Sequence, residues 1–253
     1  MKAYELIRET FFRKTYVWVA HLSWLVIYGL FWLLFLPSGM EAGAFIFLWG
    51  GFFLPLALSA GILGNDIASG RICVLATKPL WLGQFYIYRL LGLSLQGAVH
   101  LLLGGGIVFA LDALLGRGTP NRLGLWLFAT WLLFNACAAL STSLSVVVKR
   151  AYNSLALLLA AALFYLLLDV LAGYWLEYGT AEFVRKLIQF TWLPFKLLYR
   201  MAEGRYGKYS FAAGKYGFTK TLACTIHCLI LTTVYATIGV HLLTRRQFFS
   251  QRD

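Results

Sequence analysis

The chain has 253 residues, 60% hydrophobic and only 13% charged, against about 25% charged in soluble domains. The excess lies in long apolar runs, which excludes an ordinary soluble domain and places the chain in a bilayer. A net charge of +12 would suit nucleic acid, but the basic residues sit in short segments between apolar runs, a pattern of membrane topology and anionic lipid contact.

Residues 2–16 read as an amphipathic helix lying in the headgroup layer. Tyr4, Ile7 and Phe11 recur at helical spacing, with Ala3, Leu6 and Phe12 flanking them, and Glu5, Arg8, Glu9, Arg13 and Lys14 lie mainly on other faces. Two glutamates and a long following apolar run argue against a cleaved signal. Residues 17–37 form the first predicted span, about 31 Å of helix. Residues 42–64 form the second, with Pro55 predicting a kink.

Residues 65–89 are neither apolar enough to span nor polar enough for a plain loop. Asn65 and Asp66 are placed to cap a helix. Ile67, Ile72, Val74 and Leu75 supply an apolar side against Asp66, Ser69, Arg71 and Lys78, and Pro79 breaks the run. A short two-faced helix at the inner surface is what a peripheral subunit can grip.

The third span is 90–115, where Gly104, Gly105 and Gly106 weaken a helix but permit close backbone approach. The fourth is 123–148. Lys149 and Arg150 open a basic turn, KRAYN, before the fifth span at 154–176. Residues 177–217 form a long connection read as short interfacial helices broken near Pro194, followed by a Gly/Tyr-rich loop. The sixth span is 218–243. Six spans put both ends on one side. The basic residues of the short segments, Lys2, Arg8, Arg13, Lys14, Arg71, Lys78, Arg89, Lys149, Arg150, Arg245, Arg246 and Arg252, make that side cytoplasmic, against Arg117 and Arg122 in the short outer turns; Arg185, Lys186, Lys196, Arg200, Arg205, Lys208 and Lys215 of the long connection narrow the bias but count for less, since long segments translocate largely regardless of charge.

Chemistry-bearing residues are sparse. His100, Asp112, Asp169, His227 and His241 are the ionisable groups read inside spans; Asp169 and His100 are candidates for a substrate path, with a satisfied structural role as the alternative. Cys224, His227 and Cys228 approach one helix face, but no second cluster completes a zinc set, so no metal is expected. Of the four cysteines, Cys137, Cys224 and Cys228 fall in spans and Cys73 does not; no disulfide framework is expected. GxxxxGK[ST], GxSxG and HExxH are all absent; the Gly-Lys pairs at Gly207 and Gly214 lack the required neighbours. The chain is therefore not expected to hydrolyse a nucleotide alone.

The segment after Gly64 resembles the intracellular coupling region of type 2 ABC exporter permeases. Asp66 stands where that family has an acid, Gly70 matches its glycine, Val74-Leu75 its apolar stretch and Lys78-Pro79 its turn, while Phe85 and Arg89 match an aromatic and a basic residue. Arg71 replaces the usual threonine. The N-terminal amphipathic helix, six spans, outer helices between spans five and six, and the tail Arg245-Arg246-Gln247-Phe248 are similar too. The resemblance implies an all-α permease in the plasma (inner) membrane, paired with a second copy or a related chain. It also implies two cytosolic ABC ATPase subunits holding ATP and Mg, with no cofactor in this chain. Asn65, Asp66, Gly70, Arg71, Val74, Leu75, Lys78 and Pro79 would dock on the ATPase, and Lys149 and Arg150 would make a second contact. The aromatic and aliphatic spans favour export of an amphiphilic or lipid-like cargo. The alternative is a mechanotransmission or scaffold subunit acting on an extracytoplasmic partner through 177–217; a stand-alone membrane enzyme is disfavoured by the absence of a polar cluster.

Overall fold

The computed structural model describes residues 3–12, 15–35, 40–76, 81–116, 123–148, 152–159 and 218–245. Among them every regular element is a helix. In chain order these are α1 (Ala3–Phe11), α2 (Thr15–Phe35), α3 (Met40–Ser59), α4 (Gly64–Ala68), α5 (Arg71–Ala76), α6 (Leu82–Leu114), α7 (Leu123–Val147), α8 (152–159) and α9 (Phe218–Arg245). The stretches Trp49–Ala68, Leu82–Leu114, Trp126–Val147 and Thr225–Arg245 are long and apolar enough to cross a bilayer. They coincide with the second, third, fourth and sixth predicted spans. Trp18–Leu34 of α2 is a shorter apolar stretch. The fifth predicted span lies mostly outside the described residues, as do the connection 177–217 and Asp169.

The helix α6 is the longest element. Its 33 residues extend about 50 Å, well beyond the roughly 30 Å of a hydrocarbon core. It begins at Leu82, so residues 82–89, predicted to belong to the segment before the third span, are continuous with that span's helix. The reason is local: no proline occurs from Leu82 to Leu114 to break the ladder. The three consecutive glycines do not interrupt it either; neighbouring side chains fill the space at Gly104 and Gly105, while Gly106 faces open space. A Cβ on Gly104 would meet Tyr28 of α2 at 2.7 Å, and one on Gly105 would meet Leu127 of α7 at 2.5 Å.

α2 runs in the same direction as α6: His21 meets His100, Tyr28 lies on Gly104, and Trp32 reaches Asp112. α7 packs between α3, α6 and α9. Without a hydrophobic drive inside lipid, such packing depends on close contact at small residues. Gly51 on Thr130, Gly97 on Phe134 and Gly239 on Tyr86 are the points of approach. At one end, a single apolar cluster joins Leu6 of α1, Ile62 and Leu63, Ile72 of α5, Phe85 and Tyr86 of α6, Val146 of α7 and Leu243 of α9. The start of α1 and the end of α9 therefore lie at the same end of the bundle.

α3 continues through Pro55 to Ser59 and then unwinds into a turn over residues 60–63. Gly61 adopts φ +63°, and a Cβ there would also strike the Asn65 amide at 2.8 Å. α4 and α5 follow as two short helices, separated by Gly70 at φ +70°. The segment predicted to be partly helical is thus an elbow rather than one helix, because a left-handed residue ends the first helix before the second begins.

Two substitutions on α6 test this packing. Gly97→Leu drives its side chain into Phe134, where even a Cβ sits at 2.6 Å, and should lower stability by about 1–3 kcal/mol. Gly106→Ala meets nothing within 4 Å and should leave stability unchanged or raise it by about 0.5–1 kcal/mol. Thermal midpoints of the two variants in one detergent give the comparison.

Candidate functional site

At the end that carries α1, α4 and α5, two arginines and two carboxylates close into a quartet. Arg89, on the first turns of α6, has a side chain with no exposure at all. Its Nη2 donates to Asp66 Oδ2 of α4 at 2.9 Å and lies 3.3 Å from Glu9 Oε1 of α1; its Nη1 donates to Thr10 Oγ1 at 3.0 Å. Its guanidinium also lies over the Phe85 ring. Arg71, at the start of α5, grips Glu9 with both guanidinium nitrogens, Nη1 to Oε1 and Nη2 to Oε2 at 2.7 Å, and stands 3.8 Å from Asp66. The charges balance, two positive and two negative. A buried charge persists only when it is paired and hydrogen-bonded, and the fork of arginine suits several acceptors at once.

The backbone brings these residues together without help from side-chain caps. The amino end of α4 follows Leu63, with no side-chain cap bond, so the capping role expected of Asn65 and Asp66 is not the one they take. Asp66 turns inward to Arg89 instead. Burial alone would raise the Glu9 carboxyl, but the hydrogen bond from Arg71, the charges of Arg89 and Arg71 and the bond from Arg89 outweigh it and hold the carboxyl below its ordinary value. The same hydrogen bond raises Arg71 above its own ordinary value against the opposing effect of burial.

α1 is docked differently from the amphipathic expectation. Leu6 and Thr10 are its buried residues, Ile7 and Phe11 are half-buried, and Tyr4 is exposed. The buried stripe is rotated toward the polar side because Arg89 requires an acceptor there and Thr10 supplies it. Gly92 of α6 lets α1 approach, since a Cβ would meet Thr10 at 2.7 Å. Gln96 then donates to the Phe11 carbonyl at 3.1 Å.

These contacts are the start of a polar seam that runs the length of α6. Beyond Gln96, His100 Nδ1 lies 3.1 Å from His21 Nδ1 of α2, and Trp32 Nε1 donates to Asp112 Oδ1 at 2.8 Å. Arg89 and Asp112 are about 35 Å apart along the helix, close to the thickness of the hydrocarbon, and His100 lies about midway. His100 and Asp112 thus face α2 within the chain, while His21 Nε2, His100 Nε2 and Asp112 Oδ2 are buried without a hydrogen-bond partner among the described residues. His21 was missed among the intramembrane ionisable groups. A histidine in VWVAHLSWLV was its only signal; the partner on α6 is 79 residues away.

A second polar knot ties the start of α8 to the turn that precedes α4. Asn153 of α8 donates to the carbonyls of Ser59 and Ser141, both at 3.1 Å, and accepts from the Gly61 N–H at 2.9 Å. Ser145 accepts from the Leu63 N–H, and Ser154 donates to the Leu56 carbonyl at 2.5 Å. The start of α8 and the end of α7 are therefore bound to the end of α3 and to the 60–63 turn that leads into α4.

Of the residues predicted to dock on a partner, Asn65 is half-buried against Gly61, Asp66 and Arg71 are engaged in the quartet, and Gly70 forms the elbow. Val74 and Leu75 lie on α5. Lys78, Pro79, Lys149, Arg150 and Asp169 lie outside the described residues. Among the described residues, no three His, Cys, Asp or Glu side chains gather as a metal set. No protein-family model matches the chain, and no curated protein is significantly similar to it.

Removing Arg89 alone leaves Asp66 buried without its nearest partner. Arg89→Met should cost about 3–5 kcal/mol, and adding Asp66→Asn should recover part of that loss, while Arg89→Lys should restore little because it lacks the fork. Detergent thermal midpoints of the three variants measure this. The Glu9 carboxyl is depressed in the folded state, so its contribution is complete above the ordinary carboxylate value and disappears as pH falls through the lowered one. The wild-type midpoint should fall across that window, and Glu9→Gln should give a flatter pH profile.

Proposed function

We propose that this chain is the membrane permease subunit of an ATP-driven ABC transporter of the type 2 exporter kind, moved by separate cytosolic ATPase subunits and passing an amphiphilic or lipid-like substrate. The observation that carries the reading is the braced elbow. Ala68 and Ser69 are exposed at the apex between α4 and α5, while directly behind them Asp66 and Arg71 are bound to α1 and α6. A force on the apex passes through a charge-paired joint into the longest helix of the bundle, and through Gly61 and Asn153 into α7 and α8. Rigid transmission of this kind is what a peripheral motor needs. The two nucleotide states of such a motor must hold the elbow in different geometries for the spans to move.

In this reading α2 and the segment 154–176 complete six spans, and the end bearing the quartet faces the cytoplasm. Two copies of the chain, or this chain and a related one, enclose the path. Arg71 and Asp66 are internal struts, and the docking contacts come from the exposed apex and from Val74, Leu75, Lys78, Pro79, Lys149 and Arg150.

The tagged chain expressed from its own genetic neighbourhood should copurify with an ATP-hydrolysing subunit. Ala68→Trp and Ser69→Arg, both at exposed positions, should keep the wild-type thermal midpoint yet lose the copurifying ATPase or its stimulation by the membrane subunit. An ATPase that never copurifies, or one unaffected by changes at the apex, refutes the proposal.

A further inference from the structure

Two imidazoles face each other inside the α2–α6 seam. His21 and His100 are 6% and 2% exposed, with ring centroids 4.9 Å apart and the two Nδ1 atoms at 3.1 Å. At that separation one Nδ1 carries a proton and the other accepts it. The gap is too short for a metal ion, which needs about 2.0 Å to each imidazole nitrogen and therefore about 4 Å between the two. A proton is the cation that fits.

The proton count follows from the other ring nitrogens. In the neutral pair one Nε2 is bare and the other carries a hydrogen, and neither has a hydrogen-bond partner among the described residues. A third proton makes one ring an imidazolium with an Nε2–H on each ring and an acceptor for neither. A fourth sets two N–H groups and two positive charges head to head at 3.1 Å, which abolishes the bond. Closed, the pair holds two protons. Parted and reached by water, it takes up to four.

Among the described residues no formal charge lies close enough to compensate one on the pair. From α2 the rings of Trp18 and Tyr28 flank it, centred 5.9 Å from His21 and 5.4 Å from His100, and the Tyr28 hydroxyl is itself buried without a partner. On α6 the nearest charged residues are Arg89 and Asp112, about 16 and 18 Å along the helix from His100. α1 turns Glu9 to Arg71 and Arg89, and Arg8 to the Tyr4 ring. α3 has no titratable residue from Ile46 to Ser59, and Cys137 of α7 packs elsewhere, with Phe52, Leu56 and Leu157.

We infer that His21 and His100 form a proton-binding latch between α2 and α6: closed, they share one proton and hold the helices together, and on parting they take up two more. The closed pair binds fewer protons than the open one, so acid favours the open seam. Below the ordinary histidine value of about 6.5, the ratio of closed to open falls by up to about a hundredfold per pH unit, because two protons are taken up. The latch is independent of any ATPase.

The experiment uses the full chain in detergent, with the native cysteines replaced by alanine and spin labels at Ser23→Cys of α2 and Val99→Cys of α6, both exposed positions. Distances measured by electron spin resonance from about pH 8 to about pH 5 should show a second, longer separation whose share grows as the pH falls. His21→Asn/His100→Asn keeps a pair able to hydrogen-bond but unable to take up protons, and the growth should vanish there. His100→Asn alone should retain at most about tenfold per pH unit. Glu9 titrates in the carboxylate range, below this window. Nitrogen NMR of isotope-labelled histidine in the otherwise unaltered chain reads the closed state without any substitution, and a protonated, hydrogen-bonded Nδ1 is expected at about pH 8. A separation that ignores pH in the wild type, a response the double asparagine variant keeps, or a spectrum with no protonated Nδ1 overturns the inference. Copurification of an ATPase is unaffected by this result, so the two proposals fail separately.

Discussion

A guanidinium that water cannot reach holds the described end of this molecule together. Arg89 emerges from α6 at a level where α1, α4 and α5 converge: α1 and α4 supply it with acceptors, and α5 supplies Arg71 as a second donor to its partner Glu9. The energetic logic is asymmetric. A complete quartet contributes modestly, since desolvation offsets much of the attraction, but loss of one member strands a buried charge. The arrangement therefore specifies more than it stabilises: no slide of α1 along α6 and no shift of the elbow keeps all the acceptors in reach. That property suits a joint between a surface helix and a spanning helix.

The same helix organises the rest. α6 presents Arg89, Gln96, His100 and Asp112 in turn to α1 and α2, each with a partner. Between these polar contacts it offers glycine to bulky rings, as at Gly104 with Tyr28 and Phe47. In lipid, where apolar surface gives little preference for one neighbour over another, this alternation of polar bond and close approach selects the partner helix. The opposite face, with Leu91, Leu95, Leu102 and Phe109 exposed, is what a hydrocarbon environment accepts.

Much of the fold was legible because a bilayer imposes length and apolarity on whatever crosses it. Spans two, three, four and six could be found by counting, and the elbow stood out as a gap in hydropathy with Gly70 and Pro79 in it. Boundaries were less legible: Leu82–Arg89 was assigned to the segment before the third span, yet it belongs to the same helix, α6. The candidate site was half legible. Asp66, Arg71 and Gly70 attracted attention for their position; that Asp66 and Arg71 are bound to Arg89 and Glu9 could not be read there, since those partners lie on other helices.

What the sequence by itself determined is the class: helices long and apolar enough for a membrane, a two-faced segment interrupting them, and a basic bias in particular loops. These follow from composition and period, which act locally. Only the tertiary structure decided which charges are spent internally and which remain outside. Glu9 reaches Arg71 across 62 positions and Arg89 across 80, and His21 reaches His100 across 79. No local rule connects such residues. They meet because α1 and α2 lie along α6, and that placement depends on packing at Gly92, Gly97 and Gly104, where the absence of a side chain admits one particular neighbour.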